Sequence, residues 1–239
     1  MDFVNKQYVD RDIVLRVFIE NSTKENHPLN ALLLHKVLLG KTLADRDHLW
    51  TTYINYLSSD DERLYQLITY FDEGKMLDGL SKSNTELLLI LFTRLLTSSN
   101  RTLRDKASKA SIELLKREFS LCVPTLQRFE SVNDPYVFQR LYGIIFGACT
   151  KRCESNRDIF RQLAEYVYHQ IFDQESVYPG ILLRDYARLI LERWIFEAPD
   201  DHAFIDVSKI MPPYSSLDIP VVQRQDYYQK ERPHKSFGF

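Results

Sequence analysis

The stretch from Glu86 to Phe119 constrains the fold more than any other. Glu86 to Leu96 is almost continuously apolar, the polar corner Ser98-Ser99-Asn100 follows at once, and a helical pattern resumes with Thr102 near its start. In that second helix Leu103, Ala107, Ala110 and Leu114 recur along one stripe, while Ile112, Leu115 and Phe119 form another turned away from it. A surface helix needs one apolar stripe; two stripes require two packed neighbours. The unit therefore reads as one layer of a stacked helical array, with the second helix held between its own partner and the next layer. Lys106, Lys109, Glu113 and Lys116 fall on the remaining face, which is expected to be solvated, and the acid among them argues against a nucleic-acid patch.

Composition agrees with this picture. A chain of 239 residues can bury a substantial core, and only 7 glycines leave few of the turns that a sheet-rich protein or a phosphate-cradling loop would use. A net charge of about -2 argues against binding nucleic acid over the whole surface. Cys122, Cys149 and Cys153 are an odd set, so a disulfide framework is not expected and a reducing, cytoplasmic compartment is. The N-terminal text MDFVNKQYVDRD has no apolar signal core, and the greasiest run, Leu87 to Phe92, is far shorter than the roughly 20 residues a membrane span requires.

Along the chain, Asp10 and Asp12 precede a helix carrying Ile13, Val14, Val17 and Phe18, and Pro28 interrupts before a second apolar segment, Ala31 to Leu39. Leu49, Trp50, Tyr53, Ile54 and Leu57 make an apolar face that ends at Ser58 to Asp61, which would cap the next helix, Glu62 to Met76. Asp78 to Asn84 reads as a loop with Thr85 as the following cap. Cys122 to Ser131 is a short helix with Pro124 in its first turn, and Asn133-Asp134-Pro135 launches Tyr136 to Lys151. Gly143 and Gly147 lie four apart on that helix and cost about 1 kcal/mol each against Ala, which points to a close helix crossing. Helices bearing Ile159, Leu163, Tyr166, Val167 and Ile171, then Leu183, Ala187, Ile190, Leu191 and Trp194, follow. Beyond Ala198 periodicity fades: Val207 to Val222 reads as extended, and QDYYQKERPHKSFGF as loosely held and cut off. The expected division is a helical array over 1–198 and an extended, partly disordered tail over 199–239.

Chemistry-bearing motifs are sparse. Gly40-Lys41-Thr42 resembles the end of a phosphate-binding loop, but the place of its earlier glycine is held by His35 and the upstream text is helical. Cys149 and Cys153 would share a helix face, yet a zinc site needs more ligands and His169 could join only through folding. The histidines His27, His35, His48, His169, His202 and His234 are scattered without a metal-binding pair. Asp60, Asp61, Glu62 and Asp105 sit where helix starts favour negative charge. No catalytic, cofactor or metal site is expected, and the chain is not expected to be an enzyme. Trp50, Tyr53, Tyr56, Tyr142, Tyr166, Tyr168, Tyr186 and Trp194 are candidates for contact with a protein partner, against the plainer reading that they fill the core.

Three second helices share a start, at Leu103-Arg104-Asp105-Lys106-Ala107, Val137-Phe138-Gln139-Arg140-Leu141 and Leu183-Arg184-Asp185-Tyr186-Ala187, spaced 34 and 46 residues apart. The neighbouring Arg and Asp can pair across adjacent layers. The corner Asp134-Pro135-Tyr136-Val137, with Arg140 beyond it, resembles the start of a second helix in HEAT and armadillo repeats; the likeness covers roughly residues 60–197, although Asn100-Arg101-Thr102-Leu103 lacks the proline and an elongated loop precedes Leu183.

The phrases Leu34 to Gly40, Arg46-Asp47-His48-Leu49-Trp50, Thr97 to Ala107 and Leu183 to Arg188 are similar to the helical-repeat region of large bacterial STAND-type NTPases of antiviral defence. This likeness spans most of residues 30–215. In that family an effector domain and a P-loop ATPase precede a C-terminal solenoid that senses a phage protein, and this chain lacks the ATPase motif. The resemblance implies an all-α HEAT-like solenoid that is a non-catalytic piece of the sensor arm, with a phage protein as partner and neither membrane nor nucleic acid. A general scaffold or adaptor for protein complexes is the alternative, and the oligomeric state is left open.

Overall fold

The computed structural model describes residues 10–56, 63–75, 79–215 and Val221, and among them every regular element is helical. In chain order these are α1 (Arg11–Asn21), α2 (Ala31–Leu39), α3 (Leu43–Arg46), α4 (Thr52–Tyr56), α5 (Arg63–Asp72), α6 (Lys82–Leu95), α7 (Arg101–Arg117), α8 (Cys122–Phe129), α9 (Pro135–Lys151), α10 (Arg157–Ile171), α11 (Ile181–Glu197) and α12 (Val207–Ile210). A π turn, Asp47–Thr51, joins α3 to α4.

Side-chain caps place most of the helix starts. Asp10, Asn30, Ser81, Asn100 and Asp134 each accept backbone N–H bonds from the first turn of the helix that follows, satisfying donors that the helix cannot satisfy itself. Pro135 occupies the first position of α9, where its missing N–H costs nothing. The corner between α6 and α7 is tied down from outside: Ser98 Oγ donates to Asn55 Oδ1 at 2.6 Å and Ser99 N donates to the same oxygen at 3.2 Å.

Two successions of neighbours organise the packing. Helix α5 packs on α7, α7 on α9 and α9 on α11; alongside, α2 packs on α6, α6 on α8 and α8 on α10. The pairs α6–α7, α8–α9 and α10–α11 join the two successions. Helix α6 lies among α2, α7, α8 and α9, which is why every residue from Leu87 to Leu95 is buried. Each such Leu, Ile or Phe removed from water stabilises the fold by about 1.5–3 kcal/mol. Both stripes of α7 are used: Leu103, Ala107, Ala110 and Leu114 are buried, as are Leu115 and the following Phe119, while Ile112 is half-buried.

The structure departs from the sequence reading at several points. The cap of α6 is Ser81, and Thr85 lies inside the helix, buried, its hydroxyl donating to Ser81 O at 2.9 Å. Gly40 ends α2 and Thr42 caps α3 by accepting from Asp45 N, so the Gly-Lys-Thr text is a helix junction. The stretch read as extended contains the helical turn α12; Ile205 and Ile210 are buried, and Tyr214 packs on Phe172 with ring centroids 6.0 Å apart. Helix α9 ends at Lys151, so Cys149 is buried while Cys153 lies beyond the helix, exposed, and the two do not share a helical face. The expected helix stop and cap at Leu57 to Glu62, Met76, and the terminal QDYYQKERPHKSFGF lie outside the described residues.

Candidate functional site

A groove of about 540 Å³ opens on the outer side of α7, α9 and α11. Helix α7 contributes Asp105, Ser108, Lys109 and Ile112, α9 contributes Tyr136, Gln139, Arg140, Gly143 and Ile144, and α11 contributes Leu182 and Tyr186. The two glycines of α9 explain its floor. A Cβ on Gly143 would stand 3.1 Å from the Tyr186 ring, and one on Gly147 would meet Ile112 Cδ1 at 2.7 Å. The glycines thus admit one side chain from each flanking helix, the close approach that offsets their poor helix propensity.

Ion pairs stitch the walls. Arg140 donates to Asp105 Oδ1 at 2.7 Å and to Ser108 Oγ at 3.0 Å, joining α9 to α7. The Arg140 hydrogen bond holds the Asp105 carboxyl below its ordinary range. Asp105 is therefore a partner for Arg140 and Arg101, and the cap of its helix is Asn100. The lysine face of α7 is also less solvated than its text suggests. Lys106 pairs with Asp72 of α5 at 3.4 Å and lies over the Tyr65 ring, and Glu113 takes both Lys116 and, at 3.1 Å, Lys151 of α9. Burial works to raise the Glu113 carboxyl, and hydrogen bonds from the two lysines outweigh it and hold it low.

The rim residue Tyr136, 40% exposed, is positioned from beneath by a buried polar knot. Asp134 caps α9 through Tyr136 N and Val137 N, and its other oxygen accepts from Arg46 Nη2 at 2.9 Å. Arg46 is 1% exposed and also reaches Asp47 at 3.1 Å. Close by, buried Arg94 donates to His35 Nδ1 at 3.3 Å and to His35 O at 3.1 Å and lies 5.3 Å over the Phe129 ring; among the described residues no carboxylate pairs with it. Trp50 Nε1 donates to Arg94 O at 2.9 Å. Burial first, then the Arg94 and Arg128 charges, lower the His35 pKa to about 3, so this histidine is a neutral acceptor at pH 7. Burial, and then Arg46, lower the Arg94 pKa to about 10, which leaves it charged.

The candidate aromatics divide accordingly. Trp50, Tyr53, Tyr142, Tyr168 and Trp194 are buried and fill the core, Tyr56 is exposed, Tyr166 is half-buried, and of the set only Tyr186 lines the groove. Tyr136 was missed; its place directly after the Asp134-Pro135 corner could have marked it. Two further recesses lie between α5 and α7, around Tyr65, Tyr70 and Lys106, and beside Arg152, Arg157, Arg193 and Glu197. In the second, Arg152 donates to Cys149 O and pairs with Glu197, so its charge tethers the end of α9 to α11.

No group of three or more His, Cys, Asp or Glu that could hold a metal ion occurs among the described residues, and His169 pairs instead with Asp173 at 3.1 Å. Burial pushes the Cys122 thiol well up and the Cys149 thiol to about 12, which makes both poor nucleophiles. No helix among the described residues is long and apolar enough to cross a membrane. The chain matches no family model, no curated protein and no solved structure.

Proposed function

We propose that this chain is a non-catalytic protein-recognition array, a HEAT-like solenoid whose outer face on α5, α7, α9 and α11 binds a partner protein. The supporting observation is the order of neighbours, α5 to α7 to α9 to α11 beside α2 to α6 to α8 to α10, with a groove walled by three helices of one succession. Tyr136, Tyr186 and Leu182 offer the aromatic and apolar contact area typical of interface centres, and Arg140 and Lys109 supply polar contacts at its edge.

The more specific reading is the sensor segment of a cytoplasmic STAND-type NTPase in bacterial antiphage defence, with a phage protein as partner. It rests on the likeness of the quoted phrases, and ATP hydrolysis then belongs to a domain this chain does not contain.

Capture from phage-infected and uninfected bacterial lysates, with the wild type and Tyr136→Glu side by side, tests both levels. A phage protein retained by the wild type and lost with Tyr136→Glu is the expected result. Equal recovery of host proteins from both lysates would replace the sensor reading with a general scaffold or adaptor. Salt-sensitive retention of DNA or RNA and no protein would overturn both.

A further inference from the structure

The recess beside Arg152 holds more cation than its own acids neutralise. It measures about 520 Å³ and lies where α9 and α11 end and α10 begins, lined by Thr150, Arg152, Glu154, Arg157, Arg193 and Glu197. Arg152 is its fixed part: the side chain is 6% exposed, the guanidinium lies 4.1 Å over the Phe160 ring, and Cys149 O and Glu197 hold its Nη groups. Its buried Nε has no acceptor among the described residues. Glu197 is shared, because Arg193 Nε also donates to it. The other N–H groups of Arg193, and all those of Arg157, have no acceptor among the described residues; the exposed Arg157 lies 6.0 Å over the Trp194 ring and makes no ion pair there. Burial first, and then the facing Arg193 charge, lower the Arg152 pKa, the mark of a cation whose surroundings supply too little negative charge.

We infer that this recess binds the carboxylate of an acidic side chain carried by a peptide segment of another protein. A guanidinium edge presents paired N–H donors at the spacing of two carboxylate oxygens, so Arg157 and Arg193 can each offer donors to the incoming group. Charge decides which oxyanion. Three guanidiniums face the two carboxylates of Glu154 and Glu197, so one further negative charge balances the recess, whereas a phosphate monoester, at about -1.5 to -2 near pH 7, overshoots beside the same two acids. Size and acceptors decide what carries the group. A lone carboxyl fills a small part of the space, and the exposed Thr150 and Glu154 add acceptors to it: the Thr150 hydroxyl proton goes to Gly147 O at 2.8 Å, leaving oxygen lone pairs, and Glu154 makes no ion pair among the described residues. Backbone N–H groups on either side of an acidic residue match those acceptors; a small free acid has none to give.

The recess shares no lining residue with the groove, and the inference does not depend on the recognition reading. Nuclear magnetic resonance of the full chain at pH 7 and constant ionic strength tests it, reading the Nε–H signals of Arg157 and Arg193 and the indole N–H of Trp194. A blocked alanine pentapeptide with glutamate at its centre should shift these signals to saturation with millimolar affinity, and the same peptide with glutamine should not. Acetate and inorganic phosphate should each bind more weakly than the glutamate peptide. Arg157→Glu, a change at an exposed position, should weaken peptide binding about tenfold with an unchanged circular dichroism spectrum. Lys36→Glu, the same charge change at an exposed site on α2, should leave it unaltered. No shift with the glutamate peptide, an equal response to the glutamine peptide, acetate or phosphate binding as tightly as the peptide, or equal losses with Arg157→Glu and Lys36→Glu would each overturn the proposal.

Discussion

The same chemistry, a cation against a carboxylate, joins helices in two regions of this molecule with different consequences. Beneath the surface, Arg46 and Asp134 pair at 2.9 Å with side chains only 1% and 14% exposed, and Arg94 and His35 lie beside them. On the outer face, Arg140 and Asp105 pair at 2.7 Å with side chains 28% and 42% exposed. The shorter contact is the weaker one in free energy. Water and salt screen it, and either group regains hydration when the other is removed. In the inner knot a lost partner leaves a guanidinium that water does not reach. The inner contact therefore holds the fold, and the outer one sets the orientation of groove side chains at little cost when altered.

The largest break in this contrast is expected from Asp134→Ala, which removes the α9 cap and an ion-pair partner of Arg46 together. Chemical denaturation should show a loss of about 3–5 kcal/mol. Asp134→Asn keeps a capping oxygen and should lose about 1 kcal/mol less; equal losses would mean that the cap contributes nothing.

Acid should act next, through His35. Its folded pKa of about 3 lies below the ordinary value near 6.5, so between these pH values the unfolded chain binds a proton that the folded one refuses. The contribution of neutral His35 is complete above about pH 6.5, falls as pH drops toward 3, and changes no further below that. From pH 7 to pH 4 the loss attributable to this residue is about 3 kcal/mol. His35→Gln, which retains an acceptor for Arg94, should flatten that part of the stability profile; an unchanged slope would remove His35 from the account.

The smallest effect belongs to the outer pair. Arg140→Ala should cost about 0.5 kcal/mol, less in high salt. A double-mutant cycle on Arg140 and Asp105 should give a coupling well below that for Arg46 and Asp134, and equal couplings would dissolve the distinction between the two regions.

Much of the helical layout was legible in the text because its signals are local. The stripes of α7, α9 and α11 and the corners Ser98-Ser99-Asn100 and Asn133-Asp134-Pro135 that lead into α7 and α9 follow from spacing and from residues within one turn, whereas the capping roles of Asn100 and Asp134 are given by the structure. The start of α6 reads less well: the sequence points to Thr85 as its cap, yet Ser81, with the same hydroxyl chemistry, is the residue that caps it, and Thr85 lies buried inside the helix. The π turn at Asp47–Thr51 left no mark in the periodicity. The groove was half legible. Gly143 and Gly147 announced a close approach, but not that Tyr186 and Ile112 would be the side chains making it.

The amino-acid sequence by itself determined which segments are helical in pattern, which faces are apolar and which residues can cap, since each depends on neighbours within about four positions. Only the tertiary structure decided that Arg46 would meet Asp134, that Arg94 would lie on His35, and that Asp105 would hold Arg140 rather than cap its own helix. Those choices join residues tens of positions apart, and burial, which no local pattern reports, sets both the protonation of His35 and the worth of each ion pair.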